Sequence, residues 1–419
     1  DRLASFEGLA PHTDGTRRKA ESILFTGTTG FLGSRLLKEL LADPDIKRVY
    51  CLVRAKDEAA AVERIEAALL KQGLPTLSAG EQERIYPLLG DLGKPGLGLA
   101  EDHWERLSFD IDTIYHCGAL VNMVLPYDDL KKVNLDGTVE IARLALSGRP
   151  KHLHYASTLS VFVATDKNTG VVYESDRLDR TEQVYGGYAQ SKWAAERFLL
   201  SLQSRYPAIS IFRLGLIVGD SEAGRASEGD FLSVFVRGLR ALQVVPSEVA
   251  ELALDLTPVD YAARAMARLS LSDQASGTGL VYHIANMESL KLDLLARCLV
   301  SVHSEVKLVP PEEFLLRVKR LRDAGAGVGS EETAAVMALC RVICPESGAE
   351  NELFESLRTM DLFQATAIEF DQENTQKGLR STSICCPYPS KELVSMLIEA
   401  ALKEPDSASL ARYISEKES

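Results

Sequence analysis

Ser22-Ile-Leu-Phe-Thr-Gly-Thr-Thr-Gly-Phe-Leu-Gly33 is the stretch of sequence that decides the fold. An apolar, strand-like run is followed by glycines and then by a helical pattern over 31–41, which ends before Pro44. Glycine tolerates positive φ and lets backbone N–H groups approach a pyrophosphate at the positive end of a helix. This context predicts a dinucleotide-binding turn, with contacts from Gly27, Thr28, Thr29, Gly30, Phe31, Leu32 and Gly33.

The same alternation continues outward from this stretch. Short runs rich in β-branched residues alternate with helical patterns from about residue 22 to 285, which is typical of a parallel sheet covered on both faces. The predicted strands are 22–26, 48–53, 85–89, 111–117, 151–157, 208–213 and 280–284. The predicted fold class is therefore α/β, a doubly wound parallel Rossmann sheet with a smaller, mostly helical C-terminal substrate region.

The domain organisation is predicted from changes in composition and pattern. Residues 1–21 are polar and resemble a linker or N-terminal extension within a longer polypeptide. Residues 22–288 are predicted to form the dinucleotide-binding Rossmann domain, with part of 221–256 contributing to the substrate region. Residues 289–419 are predicted to be a helical substrate-binding region, and alternate glycines within 323–330 predict a flexible loop.

Composition narrows the classes of protein. A net charge of −13 over 419 residues argues against a nucleic-acid partner. No apolar run approaches the length of a membrane span, and no signal peptide is recognisable, so a cytoplasmic location is expected. The seven cysteines are scattered, which favours reduced thiols. No histidine lies at zinc-site spacing from the pair Cys340 and Cys344 or from Cys385 and Cys386, so no metal site is predicted.

The choice of cofactor is predicted from the end of the second strand, where Arg54 stands and no acid does. An acid there accepts hydrogen bonds from the ribose 2′-hydroxyl of NAD, whereas a guanidinium pairs with the 2′-phosphate of NADP. Arg64 lies in the following helical pattern and could fold back to the same phosphate; both are otherwise ordinary surface arginines. After the third strand, Asp91 and Leu92 are placed near the adenine, although Asp91 could instead cap a turn.

Tyr188 and Lys192 supply the predicted chemistry. They are four residues apart and share one face of a helix. An ammonium beside a phenol is expected to lower the phenol pKa from about 10, so that the pair exchanges a proton near neutral pH. The strand ending at His154-Tyr-Ala-Ser-Thr-Leu-Ser-Val-Phe162 offers hydroxyls to the same substrate oxygen. Together with the nucleotide turn, these residues predict hydride transfer.

At this point the chain resembles the extended short-chain dehydrogenase/reductases. Within them it resembles the thioester reductase domains that end nonribosomal peptide synthetases, polyketide hybrids and carboxylic acid reductases. The resemblance covers residue 22 to about 290. Its motifs are ILFTGTTGFLG, CLVRA, GDL, HCGALVN, VNLDGT, YASTLSVF, YGGYAQSKWAAE, FRLGLIVGD and TPVDY.

The resemblance implies roles for individual residues. Thr158 is the hydroxyl member of a Thr-Tyr-Lys triad, Tyr188 the proton donor, and Lys192 the residue that binds the nicotinamide ribose. Ser157 and Ser160 are alternative hydroxyls. The four-residue offset from Thr158 to Phe162, where relatives carry tyrosine, favours Thr158.

The cofactor contacts implied by the resemblance complete the site. Arg54 and Arg64 match the pair that holds the 2′-phosphate, so the expected cofactor is NADPH. Ala119 in HCGALVN is a further cofactor contact. Asn134 occupies a position that orders the active-site lysine in related reductases, with helix packing as its alternative role.

The expected reaction is reductive release of an acyl or peptidyl thioester. The substrate would arrive on the phosphopantetheine arm of an upstream carrier protein and leave as an aldehyde, or as a primary alcohol after a second reduction. A fatty acyl-CoA reductase or another extended short-chain reductase is the alternative; Arg54 counts against an epimerase. A non-catalytic NADP-binding protein is a further alternative. The absence of a G-x-S-x-G elbow argues against hydrolytic release.

Overall fold

The structure is a computed structural model of the 419-residue chain. It describes residues 20–122, 125–149, 151–162, 169–178, 184, 186–203, 206–227, 230–246, 253–276, 279–310, 313–314, 316–317, 320 and 367–403. Most of the predicted linker 1–21, the glycine loop 323–330, and Cys340 with Cys344 lie outside the described residues.

The strands of the described residues are as follows. In chain order they are Ser22–Thr26 (β1), Arg48–Val53 (β2), Ile85–Leu89 (β3), Thr113–His116 (β4), His152–Thr158 (β5), Thr169–Val172 (β6), Ile209–Leu214 (β7), Ile217–Val218 (β8), Val244–Pro246 (β9), Ala253–Leu254 (β10), Thr257–Pro258 (β11), Val281–Ile284 (β12), Leu290–Lys291 (β13), Lys307–Val309 (β14) and Ala367–Phe370 (β15).

The helices of the described residues follow the same order. They are Phe31–Leu41 (α1), Glu58–Lys71 (α2), Ala79–Gln82 (α3), Glu101–Asp110 (α4), Tyr127–Lys131 (α5), Gly137–Leu146 (α6), Gly187–Gln203 (α7), Phe231–Leu242 (α8), Val259–Ser276 (α9), Leu292–Val302 (α10), Glu373–Leu379 (α11) and Lys391–Leu402 (α12). A π-helical turn, Lys132–Asp136, joins α5 to α6.

Seven strands form one parallel sheet in the order β12-β7-β5-β4-β1-β2-β3. Each of them begins and ends within two residues of its predicted bounds, and α1 has its predicted bounds. The predicted doubly wound α/β fold is confirmed. The order reverses between β1 and β4, and in such sheets ligands bind at the carboxyl ends of the strands beside the reversal.

The chain divides into two compact units. The first comprises residues 1–215, 260–284 and 369–385, and the second comprises residues 216–259, 285–368 and 386–419. Both units are discontinuous in sequence, and their bounds differ from the predicted domain bounds at 288 and 289. The assignment of substrate recognition to the C-terminal region remains a prediction.

The first unit contains the seven-stranded sheet. Its core includes Leu24, Ile114 and Leu153 from three adjacent strands and Ile141 and Leu199 from α6 and α7, all without exposed surface. These residues are buried because helices cover both faces of a parallel sheet. The packing fixes the carboxyl ends of β1, β4 and β5 relative to α7.

The second unit has its own core, built around α8, α10 and α12. Asp230 caps the start of α8 by accepting a hydrogen bond from Ser233 N at 3.1 Å, and Ser390 caps α12. Apolar faces of the three helices meet in one cluster, with Phe235, Leu299 and Leu397 among its buried members. Within the predicted C-terminal region 289–419, the longest elements that the structure describes, α10 and α12, are helices, as predicted.

None of the helices in the described ranges is both long and apolar enough to cross a membrane.

Candidate active site

The turn after β1 is shaped so that only glycine fits at two positions. Gly27 has a φ of +86°, and a Cβ there would lie 2.6 Å from Gly118 N. At Gly33 a Cβ would lie 1.9 Å from Gly27 O. The first turn of α1 has neither an acidic side chain nor a side-chain cap, so the helix dipole faces the turn uncompensated. This geometry fits a bound pyrophosphate.

The remaining residues of the predicted turn surround this cradle. Thr28 is buried, Thr29, Phe31 and Leu32 are partly buried, and Gly30 is exposed. The structure therefore brings the predicted residues of the turn together at the reversal point of the sheet.

Gly33→Ala is expected to disrupt this cradle. The added methyl group meets backbone, which cannot rotate away, so we expect a loss of about 1–3 kcal/mol or more in the free energy of unfolding and much weaker binding of a nicotinamide dinucleotide. Gly80→Ala is the matched control, since a Cβ at Gly80 meets nothing within 4 Å. Urea unfolding and NADPH fluorescence titration measure both effects, and equal behaviour of the two variants would contradict the role of the close contact.

The structure brings the two predicted phosphate-binding arginines to the same turn. Arg54 is exposed directly after β2, and Arg64 on α2 donates a hydrogen bond from Nη1 to the Arg54 carbonyl oxygen. Arg64, ten positions after Arg54, thus folds back to it, as the spacing allowed. Their contact with a 2′-phosphate remains a prediction.

Asp91 has the turn-capping role that the sequence left open. Its Oδ1 accepts from Gly93 N at 2.9 Å, and its own N–H donates to Leu97 O at 2.8 Å. Leu92 lies beside the end of β4, because a Cβ on Gly118 would come within 2.6 Å of Leu92 Cδ1. Ala119 follows directly and is partly buried. Leu92 and Ala119 therefore flank the strand end next to the glycine turn.

Asn134 lies in the π-helical turn, a feature often found at functional sites. Its side chain accepts from Leu120 N at 2.7 Å and donates to Leu120 O at 3.0 Å and to Ser191 Oγ at 2.9 Å. Ser191 in turn donates to Tyr188 O at 2.7 Å. Asn134 thus ties the loop after β4 to α7, which is a packing role. Ordering of Lys192 by this amide remains a prediction.

Lys192 is buried, and its ammonium binds the strand that carries Thr158. Its Nζ donates a hydrogen bond to the Ala156 carbonyl and lies 4.2 Å from the centre of the Tyr155 ring. Burial lowers the pKa of Lys192 to about 8, while the nearby Cys117 and Glu196 oppose that shift. The group is therefore still mostly an ammonium at neutral pH.

The expected lowering of the Tyr188 pKa is wrong. Desolvation by the surrounding protein raises the pKa of Tyr188 to about 12. The helix spacing was right, but the Lys192 ammonium hydrogen-bonds to the Ala156 carbonyl. Tyr188 is consequently a neutral phenol at neutral pH, which suits hydrogen-bond and proton donation.

The hydrogen bonds at the end of β5 distinguish the three candidates for the triad hydroxyl. Ser157 is buried and donates to Glu196 Oε2, so its hydroxyl is committed elsewhere. Thr158 is partly buried, and its Oγ1 lies 2.9 Å from Ser160 Oγ. This arrangement favours Thr158 over Ser157, with Ser160 as its hydrogen-bonding neighbour.

Sequence reasoning missed a buried ion pair beneath these residues. Arg213 on β7 donates from Nε to Glu196 Oε1 at 2.8 Å, and neither side chain has exposed surface. The signal was available, because an arginine within the apolar run 209–218 must find a buried partner.

A second missed group is His116 at the end of β4. Its Nδ1 lies 2.7 Å from Thr26 Oγ1 and its Nε2 lies 3.0 Å from Thr138 Oγ1. Burial lowers the pKa of His116 to about 3, so the ring is neutral and links β1 to α6.

Comparison with known proteins agrees with this geometry. The family model described as male sterility protein, an NAD-binding family, matches residues 25–266, more than half of the chain. The chain belongs to this family. The family indicates a nicotinamide dinucleotide as the cofactor. Its contact with the glycine turn between β1 and α1 remains a prediction.

Individual relatives are similar over most of the chain. A linear gramicidin synthase of Brevibacillus parabrevis is 34% identical over 319 residues, 76% of this chain and 6% of the relative. L-2-aminoadipate reductase of Saccharomyces cerevisiae is 34% identical over 265 residues, 60% of this chain and 19% of the relative. The chain thus spans less than a fifth of the length of these curated relatives.

Among solved structures, the chain is similar to the terminal R domain from the myxalamid PKS-NRPS biosynthetic pathway. The TM-score is 0.77 at 31% sequence identity, and the similarity covers 95% of this chain and 97% of that one. The resemblance to terminal reductase domains inferred from the sequence is confirmed.

Proposed function

We propose that this chain releases a carrier-bound acyl or peptidyl thioester by NADPH-dependent reduction to an aldehyde. The observation that carries the proposal is the bond from the Lys192 ammonium to the Ala156 carbonyl. It anchors the helix with Tyr188 to the strand end with Thr158, beside the glycine cradle. The helix of Tyr188 and Lys192 is thus tied to β5, whose carboxyl end lies at the same edge of the parallel sheet as the glycine turn after β1.

The residues of the chain have distinct tasks in this reaction. Tyr188 and Thr158 donate hydrogen bonds to the substrate carbonyl oxygen and stabilise the oxyanion that forms there. Lys192 binds the nicotinamide ribose, as the resemblance implies. Bound NADPH would supply hydride to the carbonyl carbon. Breakage of the C–S bond then yields the aldehyde, and the phosphopantetheine sulfur takes a proton.

A second reduction would give a primary alcohol in the same site. Here the proton donor is required, because the alkoxide oxygen must be protonated as the second hydride arrives. The raised pKa of Tyr188, about 12, keeps the phenol protonated for this step.

The carrier-protein partner is supported by the relatives. One similar structure is the terminal R domain of a PKS-NRPS pathway, and one relative is a linear gramicidin synthase. Acyl-CoA carries the same phosphopantetheine arm, so an acyl-CoA reductase is the competing function.

A panel of thioesters tests the proposal. The same acyl chains are offered on a carrier protein and on CoA with NADPH, and the products are identified by mass spectrometry. We expect aldehyde or alcohol, with higher kcat/KM for carrier-bound chains. Higher kcat/KM for CoA would favour the competing function. NADPH binding without reduction of any thioester would contradict the proposal in favour of a non-catalytic role.

Arg54→Asp tests the assignment of NADPH. The new carboxylate repels a 2′-phosphate and accepts hydrogen bonds from a 2′-hydroxyl, so the ratio of NADPH to NADH affinity should fall by about tenfold or more. Lys56→Asp, an equal change of charge at an exposed residue two positions on, is the control and should have a smaller effect. An unchanged ratio in Arg54→Asp removes Arg54 from the cofactor site.

A further inference from the structure

Both oxygens of the buried Glu196 carboxylate are bound by groups from two neighbouring strands. Arg213 on β7 donates to Oε1 at 2.8 Å, and Ser157 on β5 donates to Oε2. All three residues are buried. A carboxylate taken out of water is tolerated only with such partners, so the geometry of the three groups is closely constrained.

The position of this cluster in the chain connects it to the reaction. Glu196 follows Lys192 by four residues on α7, so the two side chains share one helix face. Ser157 directly precedes Thr158 at the end of β5. The carboxylate therefore joins the helix of Tyr188 and Lys192 to the strand of Thr158.

The Arg213 guanidinium makes several further contacts. Nη2 donates to Asp176 O at 2.9 Å and Nη1 to Glu174 O at 3.3 Å, and Nη1 lies 3.1 Å from His283 Nε2. Its guanidinium carbon lies 4.6 Å from the centre of the Phe162 ring. The guanidinium cannot move without breaking several contacts, so Glu196 is bound to a rigid partner.

We propose that Ser157, Glu196 and Arg213 form a positioning cluster that fixes Lys192 and Thr158 relative to each other and places the Glu196 carboxylate on the helix face of the Lys192 ammonium. The inference rests on the proposed function and adds to it three residues that act through Lys192 and Thr158.

The groups that face Lys192 define the expected effect of this charge. Cys117 follows β4, Glu196 lies on α7, the Tyr155 ring on β5 lies 4.2 Å from the ammonium, and His116 at the end of β4 is neutral. Glu196 is the carboxylate among these groups, and it raises the pKa of Lys192 against the effect of burial. Its removal should therefore deprotonate Lys192 at lower pH.

Glu196→Gln tests the cluster, because glutamine keeps the shape and loses the charge. NADPH binding followed by fluorescence across pH reports on Lys192 without turnover. In the wild type, affinity should fall as pH rises through about 8, the pKa of Lys192. In Glu196→Gln that fall should occur at lower pH, and kcat for thioester reduction should drop by about 10- to 100-fold through misplacement.

Asp273→Asn is the matched control. Asp273 is also a buried carboxylate of the first unit, but its Oδ2 accepts from Ser210 Oγ at 2.6 Å and its Oδ1 accepts from the Tyr282 hydroxyl. Loss of its charge should lower the unfolding temperature and leave the pH of the NADPH transition unchanged. Ser157→Ala, a smaller change, should lower kcat with little change in NADPH affinity.

The outcomes of these experiments distinguish failure of the proposed cluster from failure of the proposed function. If the wild-type protein binds NADPH but reduces no thioester, the proposed function is refuted. The pH dependence of NADPH binding then still tests the effect of the Glu196 charge on Lys192. The cluster is refuted if Glu196→Gln keeps the wild-type transition or if Ser157→Ala keeps the wild-type kcat. Should Glu196→Gln not fold, the kcat of Ser157→Ala decides.

Discussion

Tyr188→Phe is expected to lower kcat for thioester reduction by about 10²- to 10⁴-fold, the usual contribution of a positioned proton donor, while NADPH affinity stays nearly unchanged. The substitution removes one hydroxyl and keeps the ring. Without this hydroxyl, the substrate oxyanion loses a hydrogen bond that stabilises it. An alcohol product also loses its proton donor. Consumption of NADPH with a carrier-bound thioester, followed by absorbance, measures the effect.

Tyr173→Phe is the control for this prediction. Tyr173 has 51% of its surface exposed and follows β6, so loss of its hydroxyl should leave kcat unchanged. Wild-type turnover in Tyr188→Phe would remove Tyr188 from the site, whatever its neighbours do.

Arg213→Met is expected to have the largest effect on stability, about 3–5 kcal/mol of the free energy of unfolding. The change leaves the Glu196 carboxylate buried and without its cation, since neither side chain of the pair has exposed surface. Urea unfolding measures the loss. The double variant Arg213→Met/Glu196→Gln should recover part of it, because the uncompensated charge is then gone.

Arg143→Met shows what an exposed pair contributes. Arg143 binds Glu140 at 3.0 Å with 49% of its side chain exposed, so its loss should cost less than about 1 kcal/mol. If Arg213→Met were no more destabilising than Arg143→Met, the buried pair would not contribute more to the free energy of unfolding than an exposed pair does, which would contradict the prediction.

The sheet could be predicted from sequence because its signal is local. Buried parallel strands such as Ser22–Thr26 and Ile209–Leu214 are mostly apolar runs between helical patterns. The eight other described strands have two to four residues and were not predicted. Such short pairings, Ile217–Val218 with Thr257–Pro258 for example, depend on contacts between distant segments.

The sequence also did not predict that residues 369–385 belong to the first unit, because this too depends on contacts between distant segments. Thr375 and Asn374 donate to Glu174, about 200 residues earlier in the chain, and Asp371 N donates to Val172 O at 2.9 Å. No periodicity in either segment encodes a partner at that separation.

At the site, residue types and spacing predicted the local structure that carries each group but not the electrostatics of the groups. Gly27, Gly33, Tyr188 and Lys192 lie where their motifs indicated. The pKa of Tyr188 depends on burial, which four-residue spacing does not report. The Ser157–Glu196–Arg213 cluster joins two strands and a helix, and only the unusual arginine in an apolar strand hinted at it.

Transfer of deuterium from NADPH tests the central claim most directly. NADPH carrying deuterium at the transferable position of its nicotinamide ring is mixed with the protein and a carrier-bound acyl thioester, and the released product is analysed by mass spectrometry. The account predicts an aldehyde with one deuterium on the former thioester carbon, or an alcohol with two, together with free carrier thiol. Release of an unlabelled carboxylic acid, or no release at all, would contradict it.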